Sequence, residues 1–313
     1  MKPYIFIDSN HLAWRSFYLL GKKVGIGRGY AVSNAICYGF VNSISHLTSM
    51  FENKNVICVW DSPPYWRHDI YKDYKGTRGA KEDSFTAAMI LCKEMLKDLK
   101  IPQIIISGFE ADDLAGIFSH LLDEQEESSI IVTDDMDYFQ LLRKRVKIYR
   151  PGTRELFTVQ KYKAKYPGLK PKDIIMMKAI AGDKGDNIIG VAGVGEKTVM
   201  KFLPKYKTLK KILKNQKKIE DIRGCKKIFD EDTLDRIRLN RILVRIPNSD
   251  KDIDRHIKNG HVSRKRIDKI SNRIAKRKRI KRKKLVKILG KYKLRKYKTK
   301  VIRGDNLLGL EIV

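Results

Sequence analysis

The chain lacks any uninterrupted apolar run of the roughly 18 residues that a membrane span needs. Its opening, MKPYIFIDSN, meets an acid at Asp8, too early for a secretory leader. Both absences argue against a membrane or exported protein, and the expected compartment is the cytoplasm. Cysteine is sparse: Cys37, Cys58, Cys92 and Cys225 stand apart, without CxxC spacing, in apolar surroundings. That pattern argues against a disulfide framework or a thiolate zinc site and leaves core thiols. Acid is the scarcer charge, 36 Asp and Glu against 67 Lys and Arg, for a net charge of +31. An excess of that size points to a polyanionic partner, nucleic acid before anionic membrane.

What is present is an alternation. YIFI (4–7), NVICVW (55–60), PQIII (102–106), SIIVT (129–133) and VKIY (146–149) read as buried strands, and the stretches 30–53, 81–100 and 110–124 between them carry helical spacing. This predicts an α/β domain over residues 1–160 with a mostly parallel central sheet flanked by helices. Ligands of such sheets gather at the carboxyl ends of the strands. Residues 161–255 turn helical, forming a smaller lobe with a glycine-punctuated hairpin at 190–195. Residues 256–313 form a strongly basic C-terminal region, with 21 basic residues and one acid, Asp268, between Arg264 and Arg303. Apolar positions at Ile267, Ile270, Ile274, Ile280, Leu285, Ile288 and Leu289 would allow one or two short helices there, against the alternative of a solvated tail.

The scarce acids are not scattered. FEADDLAG (109–116) holds Glu110, Asp112 and Asp113 within four positions, Asp8 and Asp61 end the first two strands, and Asp135 and Asp137 follow the fourth. One acid at a helix start is ordinary capping. Several at one predicted edge repel each other unless a cation is bound. Mg2+ suits such an all-oxygen set, and two ions about 3.5–4 Å apart can activate water and stabilise the leaving oxygen of a phosphodiester.

Two further stretches carry chemistry. In AIAGDKGDNIIGVAGVGEKT (179–198), Asp183 and Asp186 are spaced to face a common point, and GVAGVG followed by EKT has the form of a helix-hairpin-helix that brings backbone N–H groups to a DNA phosphate. In YWRHDIYKDYKGTRG (65–79), Lys75 and Arg78 could reach a scissile phosphate, and Tyr71 or Tyr74 could stack on a base.

IDSNHLAWR, YKDYKGTR, GFEADDLAG, TDDMDYFQL and GDKGDNIIGVAGVGEKT, in this order across about residues 3–250, resemble the 5′-nucleases: flap endonucleases and 5′→3′ exonucleases, including phage RNase H-type enzymes and the nuclease domain of bacterial DNA polymerase I. Small size and a free-standing nuclease are similar to the phage members. The resemblance implies a PIN-like fold and a two-ion Mg2+ site, with Mn2+ able to substitute, from Asp8, Asp61, Glu110, Asp112, Asp113, Asp135, Asp137, Asp183 and Asp186. It implies Arg15, Lys75 and Arg78 near the cleaved phosphate, and Gly190, Gly193, Gly195, Lys197 and Thr198 on the duplex, where relatives also carry a monovalent cation, K+ for example. The implied substrates are DNA 5′ flaps, nicks and ends and RNA primers or RNA–DNA hybrid, during replication and repair. Replication proteins are the implied partners of a monomer that needs no membrane.

Two features depart from the pattern. Asp134 stands where relatives often have a small residue, so the register of the Asp135–Asp137 pair rests on Gln140–Leu141, and the region past Arg255 aligns with no family counterpart. A non-catalytic DNA-binding protein of the same fold is the competing reading, against which the full set of acids counts. A PIN-type ribonuclease is another, against which the glycine hairpin counts.

Overall fold

A computed structural model of the chain describes residues 2–21, 29–52, 55–80 and 82–275. Six strands, β1 (Tyr4–Asp8), β2 (Val56–Val59), β3 (Gln103–Ile104), β4 (Ser129–Val132), β5 (Val146–Arg150) and β6 (Glu155–Phe157), form one sheet in the order β3-β2-β1-β4-β5-β6. All neighbouring pairs run parallel except β5 and β6. The apolar runs follow from this, because a parallel sheet is covered on both faces. Ile5, Ile7, Cys58 and Val132 pack against α1 (Ser9–Ser16), α2 (Gly29–Met50) and α3 (Asp83–Asp98), while Phe6, Ile57, Val59 and Ile131 face α4 (Ala111–Glu124). The four cysteines are buried and none is in a disulfide among the described residues.

Two strands differ from the sequence reading. The PQIII run contributes only Gln103–Ile104 to the sheet, since Ile105 turns outward and its carbonyl accepts from Arg266. The three-residue β6 went unread, being too short to show alternation.

The second lobe holds α5 (Val159–Lys165), α6 (Ile174–Ala181), α7 (Glu196–Val199), α8 (Leu203–Tyr206), α9 (Leu209–Lys214), α10 (Gln216–Glu220), α11 (Glu231–Leu243), α12 (Asp250–Lys258) and α13 (Arg264–Ala275). It does not close at residue 255. Ile253 of α12 and Ile267 and Ile274 of α13 are buried in the same apolar cluster as Phe118 and Ile131 of the α/β domain. The first part of the basic C-terminal region is therefore a packed helix with its apolar stripe inward. Ile280, Leu285, Ile288 and Leu289, expected to continue that stripe, lie outside the described residues.

β1 lies at the centre, with β2 on one side and β4 on the other, so the order reverses there and a crevice opens at the carboxyl ends. Register brings those ends level: Asp8 is opposite Val59, and Ile7 is opposite Val132.

Candidate metal and nucleic-acid site

Each acid at this edge also serves its local backbone. Asp8 caps α1 by accepting from the His11 amide at 3.0 Å, and its other oxygen accepts from the Tyr138 hydroxyl at 2.9 Å. Asp61 follows β2 and accepts from the Ala111 amide at 2.8 Å, so it sits over the start of α4. Glu110 is the N-cap of α4, Asp112 and Asp113 lie in its first turn, and Asp135 caps the turn Met136–Leu141. Capping fixes each carboxylate's direction, so capping and clustering coexist.

Asp8, Asp61, Glu110, Asp112 and Asp135 line one cleft of about 510 Å3, with Lys75, Arg78 and His11 on its wall. Among the described residues, Asp8, Asp61, Asp112 and Asp135 make no ion pair with a lysine or arginine. The energetics reflect this. Burial, then the charges of Glu110 and Asp8, pushes the Asp61 carboxyl up to about 6. Burial also raises Asp8, and burial followed by Asp113 and Glu110 raises Asp112 well above the carboxylate range.

The other acids of the set have partners. Arg67, 1% exposed, donates to Glu110 at 2.8 Å and to both oxygens of Asp113 at 2.9 Å, and also to the carbonyls of Leu243 and Arg245 in the second lobe. Asp113 further accepts from Trp66 Nε1 and the Glu110 amide. Its carboxylate lies within 4.8 Å of those of Glu110 and Asp112, yet its oxygens are turned to Arg67 and away from the cleft.

Lys75 pairs with Glu110 and lies 3.8 Å from Asp186, and Arg78 pairs with Asp186 at 2.7 Å. The basic loop and the second lobe thus meet over the cleft, a junction strengthened by the bond from the Lys75 amide to the Asp186 carbonyl at 2.9 Å.

Several expectations need correction. Tyr74 is 2% exposed and its hydroxyl donates to Glu110 and Asp186, so its ring offers no face to a base. Asp183 and Asp186 do not converge: Asp186 turns to Arg78 and Tyr74, whereas Asp183 accepts from Lys178, which also pairs with Asp137. Arg15 is paired at 3.5 Å with Asp134, which also takes His11 at 3.1 Å and the Gly152 amide at 2.7 Å. Asp134 is therefore the acid turned from the cleft and Asp135 the one turned into it. Burial works to raise Asp134, but the His11 and Gly152 bonds lower it overall.

Gly190 also differs from its expected place among phosphate-admitting glycines. A Cβ there would lie 2.2 Å from the Ala181 backbone, so the residue lets the hairpin cross the end of α6. Gly193, at φ +81°, and Gly195, the N-cap of α7, have open space around them, and Lys197 is exposed beside the half-buried Thr198. The hairpin's outer backbone is thus accessible.

Sequence reasoning missed His11, Arg67 and Lys178. Arg67 stood in a stretch already singled out, and Lys178 stands five positions before Asp183 in α6. Nothing in either pattern names the acid that each meets.

This edge can be compared with known proteins. The model of the 5′-3′ exonuclease N-terminal resolvase-like domain matches residues 3–167, and that of the 5′-3′ exonuclease C-terminal SAM fold matches 169–269. The chain belongs to the 5′-3′ exonuclease family. The second match carries the family past Arg255, where the sequence reading found no counterpart. The chain is 32% identical to a 5′-3′ exonuclease of Aquifex aeolicus over 70% of its length and 75% of the relative's. It is 33% identical to a thermostable DNA polymerase I of Thermus filiformis over 78% of its length, but spans only 28% of that polymerase. T5 5′-exonuclease with bound zinc shares the fold, with a TM-score of 0.68 at 22% identity, covering 87% of this chain and 98% of that one. Family membership supports a nuclease function for the chain.

Proposed function

We propose that this family member is a divalent-metal-dependent, structure-specific 5′-nuclease that hydrolyses phosphodiesters at 5′ ends, flaps and RNA primers of cytoplasmic DNA. The observation that carries the reading is the cleft itself. Asp8, Asp61, Asp112 and Asp135 face one space, none of them ion-paired with a lysine or arginine among the described residues, and burial raises three of them. All these donors are carboxylate oxygens, with no thiolate, which suits Mg2+ or Mn2+. With Glu110 they are the residues that would hold the ion. A divalent ion there supplies Lewis-acid activation of water and charge stabilisation for the departing oxygen.

The remaining roles fall to the chain. Tyr138 and the His11 amide orient Asp8, the Ala111 amide orients Asp61, and Arg67 fixes Glu110. Lys75 and Arg78, paired with acids in the free protein, can pass to a phosphate entering beside them, and Arg78 is more than half exposed. The open glycine backbone of the hairpin, with Lys197, holds the duplex. A monovalent cation at that hairpin and replication-protein partners belong to the same proposal. Asp113 is left out of the ligand set, because Arg67 already holds both its oxygens.

The test is cleavage of 5′-labelled flap, nicked and RNA–DNA hybrid substrates with Mg2+ and with EDTA. Products with 5′-phosphate and 3′-hydroxyl ends that require the metal are expected. Full activity in EDTA sinks the reading.

A further inference from the structure

The acids of this edge suffice for two cation positions, but one position already contains a cation belonging to the chain. Lys178 lies in the last turn of α6, where the helix dipole favours positive charge. Its ammonium donates to Asp183 at 2.6 Å and pairs with Asp137. All three side chains are largely buried, 16–17% exposed. Asp183 is fixed from its other side by the Gly185 amide at 2.9 Å, and Asp137 is held by the turn that Asp135 caps. The ammonium is a compact point charge on a long apolar stem, so it can occupy the place between two carboxylates that a small ion would take.

We propose that Lys178 is a built-in substitute for a second divalent ion, so that the free protein binds one ion at the Asp8–Asp61–Glu110–Asp112–Asp135 cleft and none at Asp137–Asp183. Charge supports the division. Two carboxylates share one ammonium at Asp137–Asp183, whereas among the described residues Asp8, Asp61, Asp112 and Asp135 share one cleft with no lysine or arginine paired to any of them. A divalent ion approaching the first group meets an ammonium lodged between its carboxylates, whereas in the second group the nearby Lys75 and Arg78 are paired with Glu110 and Asp186 and leave the other carboxylates open. The inference rests on the metal-dependent reading above and narrows its two-ion expectation.

The test counts Mn2+ bound to the full chain without DNA, by paramagnetic resonance of the free ion and by calorimetry. One ion per wild-type chain is expected, and two for Lys178→Met, which keeps the stem and removes the charge. Asp137→Asn should leave the wild-type count at one with affinity changed less than about threefold. Two ions in the wild type with affinities within tenfold, an unchanged count in Lys178→Met, or loss of the single ion in Asp137→Asn would each overturn the proposal. Should Lys178→Met fail to fold, the wild-type count and Asp137→Asn decide between these results. Wild-type protein that binds no Mn2+ overturns the metal-dependent reading itself and the inference with it.

Discussion

Asp112 and Asp113 are neighbours on the first turn of one helix, yet they live in opposite electrostatic conditions. Asp113 is fully buried and held by both arms of Arg67, while Asp112 faces the cleft with no basic side chain bonded to it. The same division runs along most of the edge; Asp137 is the exception, paired with Lys178 yet pushed up to about 7 by burial and then by the charge of Asp135. Asp134, Asp183 and Asp186 each have a cation of the chain in contact, and Asp134 and Asp183 lie below the usual carboxylate range as a result. Among the described residues Asp8, Asp61 and Asp112 have none, and they lie above it. The acids with chain partners are structural charges, already neutralised. Ionised, the cleft acids oppose the apo fold and are relieved by a proton or by a cation from outside, which is the condition expected of a binding site rather than of a stabilising network.

The sharpest way to break this division is to neutralise one acid of the cleft. Asp8→Asn keeps size and capping geometry but removes a ligand, and cleavage should fall by about 10³-fold or more, given the several kcal/mol that metal charge stabilisation supplies. DNA affinity should change little. An active Asp8→Asn enzyme would show that the raised acids are not the reacting ones.

On the partnered side the expected effect is on folding. Arg67→Met leaves Asp113 buried without a counter-charge, leaves Glu110 with Lys75 alone, and takes a donor from the Leu243 and Arg245 carbonyls. Breaking one side of a buried pair costs about 3–5 kcal/mol, to be read in denaturant melts. A loss below about 1 kcal/mol would mean that Arg67 does not anchor the set. Lys75→Ala tests the residue between the two conditions. It should lower turnover about 10²–10³-fold with little change in binding, whereas Lys197→Ala should weaken duplex binding with little change in turnover. Equal effects of the two on binding alone would remove Lys75 from the reaction.

Much of this was legible in the sequence, for a physical reason. Parallel strands buried on both faces leave continuous apolar runs, so five of six strands and the level of the acids could be read directly. What could not be read was direction. Asp112 and Asp113 are adjacent identical residues, and only the reciprocal cap between Glu110 and Asp113 turns the latter inward. Arg67 reaches carbonyls 176 and 178 residues away, a pairing without local spacing. Asp183 and Asp186 had the separation of a shared site, but the turn between them sends one to Lys178 and the other to Arg78. Tyr74 read as a surface aromatic because its neighbours are charged, although its hydroxyl has two acids to satisfy indoors.

The smallest expected effect follows from proton and metal competing for one carboxylate. Asp61 has its folded pKa raised to about 6 from an ordinary value of 3.8. A raised folded pKa gives the apo protein a contribution fully present below about pH 4 and lost as pH rises through about 6. A bound ion has the opposite dependence, because it needs the ionised carboxylate. At pH 5 about a tenth of Asp61 is ionised, which weakens metal affinity about tenfold, or about 1.4 kcal/mol. The rise in melting temperature on adding Mg2+ should therefore be about 3–5 °C smaller at pH 5 than at pH 7, at roughly 2–4 °C per kcal/mol. Acids with lowered pKa, such as Asp134 and Asp183, titrate alike with and without the metal and drop out of the difference. A Mg2+-induced shift that stays flat between pH 5 and pH 7 would mean that Asp61 is not among the ligands, and would move it to the partnered side of the edge.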